Sequence, residues 1–152
     1  MLWFFIRFYN RTQQFFDFGN GKEQDNIMLL FRDHSCELWL YIIDEYHIVN
    51  RIYIPGCILK GRYYHIAITY RNREINVYYD SSLILSQSIN NPIKNTIRDS
   101  NFIGKSMNSD NVQDGSLDEF DGNFDEFKIF DRVLSIDEIN YEMNKKQPYI
   151  VL

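Results

Sequence analysis

FDGNFDEFKIFDRVLSIDEI, residues 120–139, is the stretch that decides the fold. Aromatic and aliphatic residues recur at Phe120, Phe124, Phe127, Ile129 and Phe130, with Asp121, Asp125 and Glu126 between them. Apolar side chains at such short intervals describe a strand entering a core. Ser135-Ile136-Asp137-Glu138 then carries the signature of a capping box, in which Ser135 caps a helix and Glu138 reaches back to it. The expectation is a strand over Phe124–Phe130 and a short helix over Ile136–Asn144. Because Phe124, Phe127 and Ile129 do not alternate cleanly, the strand is expected to be covered on both sides. The acids pose a second question, whether the stretch is also a metal or catalytic site.

Upstream the chain reads as strand after strand. Leu2–Tyr9, Gln13–Phe18 and Ile27–Phe31 are short apolar runs, separated by turn residues such as Gly19-Asn20-Gly21 and Asp25-Asn26. Glu37–Ile43 and His47–Ile54 suggest a hairpin around Asp44-Glu45, and Pro55-Gly56 ends it. Tyr64–Tyr70 and Glu74–Tyr79 form a second hairpin across Arg71-Asn72-Arg73, with period-2 alternation in both arms. Ser82–Gln87 and Phe102–Gly104 complete the set, the latter inside a polar stretch over residues 88–117. Ile136, Ile139 and Met143 give the helix a narrow apolar stripe for docking. Many strands and one terminal helix predict an all-β antiparallel sandwich.

Composition narrows the class. The chain has 152 residues, 45% of them hydrophobic and 16% aromatic, enough for one domain with a sizeable core. A formal net charge of -5 argues against nucleic acid, whose phosphates call for a Lys/Arg surplus. No run approaches the roughly 20 apolar residues of a membrane span. The apolar start is interrupted by Arg7 and Arg11 and reads poorly as a signal peptide. Asn10-Arg11-Thr12 is a glycosylation sequon that matters only on a secretory route. Cys36 and Cys57 are too few for a disulfide framework and form no CxxC zinc pair, so free buried thiols are expected, with a single bridge as the alternative.

Four motifs, in order, resemble those of laminin-G-like, concanavalin A-like jelly rolls. FDFGNG (residues 16–21) with Asp25-Asn26-Ile27 resembles the F-D-F-G-N-G…D-N-I corner of one bacterial branch. GRYYHIAITY (61–70) with INVYYD (75–80) resembles the W-x-H-[VI]-A-[VI]-T…Y-V-[DN]-G hairpin. FIGKS (102–106) resembles Y-I-G-R-S, and residues 120–139 resemble F-D-G-x-I-D-E-[VF]-R-I-Y-N-R-A-L-S-x-x-E-I. Three departures stand out. Tyr63 replaces a usual Trp, and Asp80-Ser81 replaces a hairpin Asn/Asp-Gly, which predicts a looser turn. The chain also starts near the family's F-T-I-S-F-W-F strand, so one or two opening strands are expected to be missing and a sheet edge exposed.

The resemblance implies a single N-terminally shortened jelly roll acting as a non-enzymatic recognition module for glycan or protein. The alternative is a structural or assembly component, of a cell surface or virion, completed by a neighbouring strand or by oligomerisation. A glycoside hydrolase is the third reading. The glucanase pattern E-x-D-x-x-E begins correctly at Glu119 and Asp121 but ends in Phe124, leaving the third acid absent. No cofactor is required, though a structural calcium held by Asp121 and Asp125 is the metal reading of the opening stretch. His34, His47 and His65 lack metal-ligand spacing, and His65 sits among core positions. Asp17, Asn20, Asp25 and Asn26 are the other polar cluster, expected to hold tight turns, with a loop-edge ligand site as the alternative. Trp3, Trp39, Tyr41, Tyr53 and Tyr78 are the candidates for a sugar-stacking platform, not separable from core residues at this level.

Overall fold

A computed structural model describes residues 1–7, 12–22, 24–32, 36–106 and 119–145. His34, the Asn10-Arg11 part of the sequon, and residues 107–117 of the polar stretch lie outside the described residues.

Two antiparallel five-stranded sheets face each other. Their strands are β1 (Leu2–Ile6), β2 (Gln13–Gly19), β3 (Ile27–Phe31), β4 (Leu38–Ile43), β5 (Val49–Ile54), β6 (Tyr63–Arg71), β7 (Glu74–Tyr79), β8 (Ser82–Ser88), β9 (Ser100–Ile103) and β10 (Gly122–Asp125), followed by helix α1 (Ile136–Asn144). The first sheet runs β10-β1-β6-β7-β8 and the second β5-β4-β3-β2-β9. The period-2 pattern is the cause: Leu38, Leu40 and Ile42 point inward from β4, as Ile52 and Ile54 do from β5. Between the sheets Phe4 meets Phe15 edge-on at 4.8 Å, and Phe15 meets Phe120 at 4.8 Å. Phe4, Phe15, Phe31 and Ile66 are fully buried there, each burial worth roughly 1.5–3 kcal/mol.

The stretch over residues 120–139 closes the first sheet. Gly122 packs so closely that a Cβ would run into the Phe5 carbonyl and the Phe120 ring. The strand expected over Phe124–Phe130 is shorter than that and ends at Asp125. Glu126 has φ 53, and the pairing shifts by one residue there, from Trp3 opposite Asp125 to Met1 bonded with Lys128. This is a β-bulge, and it re-aims every following side chain. Phe124 and Phe127 therefore both face inward, which explains the broken alternation. The capping box is present, with Ser135 Oγ accepting from Glu138 N–H at 3.3 Å and Glu138 Oε2 accepting from Ser135 N–H at 2.8 Å. Ile139 then docks α1 against Ala67, Tyr78 and Leu134 on the outer face of the first sheet.

Two expectations are corrected. The Asp80-Ser81 turn is tight rather than loose: both residues have positive φ (45 and 66), and Tyr79 pairs directly with Ser82. That is the twist hairpins favour, and the Asp80 carboxylate accepts from His65 N–H at 2.9 Å to hold it. The cysteines are not free thiols. Cys36 and Cys57 form a disulfide with Cα atoms 4.7 Å apart. The β4–β5 hairpin brings together two residues 21 positions apart in sequence.

Candidate functional site

The outward face of the second sheet carries an aromatic cluster. Alternation on β4 sends Trp39 and Tyr41 outward, and β5 adds Arg51 and Tyr53. The register sets Tyr53 opposite Trp39 and Arg51 opposite Tyr41, with Leu30 and Met28 of β3 beyond them. The Trp39 ring lies 5.7 Å from Tyr53 and 6.4 Å from Tyr41. Arg32 stands 5.3 Å from the Trp39 ring centre and Arg51 stands 5.8 Å from that of Tyr41. Such cation–π seats are worth about 0.5–1 kcal/mol at exposed positions and hold the guanidinium groups beside the rings. Trp39 and Tyr41 are half-buried, while Tyr53 is 42% exposed. The result is an apolar surface whose rim carries guanidinium groups and the Glu37 carboxylate, which accepts from the Trp39 indole N–H at 3.4 Å. Such a surface can stack the C–H face of a sugar ring and bond its hydroxyl or carboxylate oxygens.

The other aromatic candidates lie elsewhere. Trp3 packs against His65 at 5.2 Å on the first sheet. Tyr78 packs against the small cluster under α1. His65 is buried, and burial, followed by the positive charge of the chain start, pulls its pKa from 6.5 down to about 4.

The structure brings Asp17, Asn20, Asp25 and Asn26 together at one corner and engages them with protein groups. Asp17 is fully buried and accepts from Asn26 Nδ2 at 2.6 Å and Ser106 Oγ at 2.6 Å. Asp25, at φ 57, accepts from Asn20 Nδ2 at 3.1 Å and Lys94 Nζ at 3.0 Å, while its carbonyl accepts from Arg98 Nε at 2.8 Å. Burial alone would raise the Asp25 pKa, but the bonds from Lys94 and Asn20 outweigh it and hold the group below its ordinary value. Gly19 lacks a Cβ where one would strike the Asn26 amide.

Asp121 and Asp125 are not brought together. They sit four positions apart on extended chain, about 13 Å at strand rise. Asp121 faces Arg7 at 3.8 Å, and Asp125 accepts from Glu126 N–H at 2.8 Å. Calcium takes six to eight oxygens, and this pair does not converge on one point. Among the described residues no group of three or more His, Cys, Asp or Glu side chains is placed to hold a metal. Phe124, at the position of the third glucanase acid, stacks on Phe120 at 3.9 Å in the interior.

Sequence reasoning placed Asp44 at the hairpin turn but showed neither its burial nor its bond from Asn91. Fully buried, it accepts from Tyr46 N–H and Ile48 N–H at 3.0 Å each, from Asn50 Nδ2 at 3.1 Å and from Asn91 Nδ2 at 3.0 Å. Burial would raise its pKa, yet these bonds, Asn91 foremost, keep it low. It fixes the turn of the hairpin that carries the aromatic face. The signal was an Asp opening a polar run between two strands.

A sequence model described as the concanavalin A-like lectin/glucanases superfamily matches residues 1–140. The chain belongs to that superfamily. No curated protein matches it in sequence. Among solved structures, this superfamily member is similar to the CBM40 module of a Ruminococcus gnavus IT-sialidase bound to α2,3-sialyllactose. That match has 16% identity and a TM-score of 0.71, covering 91% of this chain and 77% of that one. The same module bound to α2,6-sialyllactose aligns with TM-score 0.65 and 15% identity over 93% of this chain and 79% of that one. A heptameric SAP-like pentraxin from Limulus polyphemus aligns with TM-score 0.64 and 14% identity, covering 91% and 65%. At such identities the likeness is one of fold.

Proposed function

We propose that this protein is a non-catalytic glycan-recognition module that binds sugar on the outward face of β4 and β5. The observation that carries the reading is the Trp39–Tyr41–Tyr53 surface with Arg32 and Arg51 seated on its rings. Core aromatics have no reason to share one outward face at an accessible sheet edge. The Arg51 guanidinium suits sugars that carry a carboxylate, because a fork of N–H donors matches its two oxygens. The solved carbohydrate-binding modules of the same fold support the reading by analogy. The disulfide further supports folding in an oxidising compartment, where such bridges persist. The test is a glycan array with acidic and neutral members, followed by calorimetry with α2,3-sialyllactose and lactose on wild type and Trp39→Ala. Binding that weakens at least tenfold in the variant, with its melting temperature held, is the expected result. An empty array, or binding indifferent to Trp39, overturns it.

A further inference from the structure

Among the described residues the sheet edge beyond the Glu126 bulge has no pairing partner. Lys128 is bonded to the first sheet in both directions, its N–H to the Met1 carbonyl at 2.9 Å and its carbonyl from the Met1 nitrogen at 2.8 Å. In an antiparallel ladder the flanking residues then point their backbone groups away from that neighbour. Those residues are Phe127 and Ile129. Among the described residues neither backbone N–H has a hydrogen-bond partner. Both line an apolar cavity of about 710 Å³ that opens between the sheets and that Phe16, Phe18, Ile42 and Ile68 also line. Beside it Ile129 is 75% exposed, Phe130 38% and Val133 37%, although all three line the cavity. An unpaired edge and an apolar cleft thus meet along one short segment.

We propose that this segment is a docking site for an extended strand of another polypeptide, with apolar residues at alternate positions. The backbone decides the occupant. An apolar cleft accepts any apolar body, but unpaired N–H and C=O groups two residues apart match the spacing of an extended peptide. The incoming strand bonds to Phe127 and Ile129 and places every second side chain in the cleft. It thereby covers an edge that natural sheets otherwise protect. The site is separate from the sugar face: Phe127 packs on Phe16 and Phe18 of β2 between the sheets, whereas the aromatic cluster lies on the outward face of β4 and β5.

The test uses the ¹⁵N-labelled whole chain and a panel of ten-residue peptides alternating Thr with Val, Ile or Phe. Amide exchange is read at Phe127 and Ile129. The expected result is at least tenfold slower exchange at both amides when a peptide is added. Binding is expected to fall tenfold or more when the peptide's alternate amides are N-methylated, and likewise in the protein variants Ile129→Pro and Ile129→Lys. Failure of every peptide to protect these amides overturns the proposal. So does sodium decanoate filling the cleft in competition with peptides whose N-methylation makes no difference, which marks a site for small amphiphiles. Protection that rises with protein concentration alone, without peptide, replaces the partner with a second copy of this chain.

Discussion

Breaking the Cys36–Cys57 bridge is the perturbation whose size follows most directly from the structure. The bridge closes a loop of sequence separation 21 around the whole β4–β5 hairpin. In the chain-entropy account the loss on opening is 2.1 + 1.5R ln n cal/mol/K, which for this loop is about 11 cal/mol/K, or about 3 kcal/mol at 25 °C. A domain of this size moves about 2–4 °C per kcal/mol, so the melting temperature falls by about 6–12 °C. Beside the bridge Ile58 is 1% exposed and donates its N–H to the Cys36 carbonyl at 2.9 Å. The assay is thermal unfolding by circular dichroism with and without reductant, and of Cys36→Ser/Cys57→Ser without it. Mass spectrometry confirms the bridge in the starting sample. A fall of less than 2 °C in both experiments would refute the reasoning. Finding two free thiols in unreduced, denatured protein would do so more simply.

Other outcomes follow from the same structure. Gly122→Ala forces a methyl group against the Phe5 carbonyl and the Phe120 ring, and is expected to cost about 1–3 kcal/mol, read by denaturant unfolding; a neutral result contradicts the close approach. Burial first of all depresses the His65 pKa from 6.5 to about 4, so between these values the unfolded chain binds more protons than the native one. Stability therefore rises with pH from 4 to 6.5 and is lost on acidification through that window. The slope amounts to about 1–3 kcal/mol after allowance for solvent screening, and His65→Phe is expected to flatten it. Asp121→Asn and Asp125→Asn are expected to leave the response of the melting temperature to calcium the same as in wild type, because the two carboxylates do not share a site; a response lost in both variants would show otherwise.

Much of the architecture was legible because alternation is a local signal. β2, β3, β7 and α1 fall within a residue or so of where pattern and capping box place them. The end of β10 was not, because nothing in the Glu126 side chain announces a left-handed backbone. The bridge was hidden for a different reason: two cysteines meet only once the hairpin register is known. Register also separates the aromatics. Trp39, Tyr41 and Tyr53 share one face because β4 and β5 pair as they do, and a shift of one residue would have buried them. The polar corner of Asp17, Asn20, Asp25 and Asn26 could be picked out from residue types alone. Its partners Lys94, Arg98 and Ser106 lie too far along the chain to be guessed.

The central claim is that sugar binds on the outward face of β4 and β5. It is tested most directly by titrating ¹⁵N-labelled protein with α2,3-sialyllactose and following backbone and side-chain resonances. The account predicts shifts centred on the Trp39 indole N–H, Tyr41, Arg51 and Tyr53, with the Trp3 indole unmoved. Shifts centred instead on the Asp17–Asn26 corner, or spread along residues 127–133 with Trp39 silent, would contradict it.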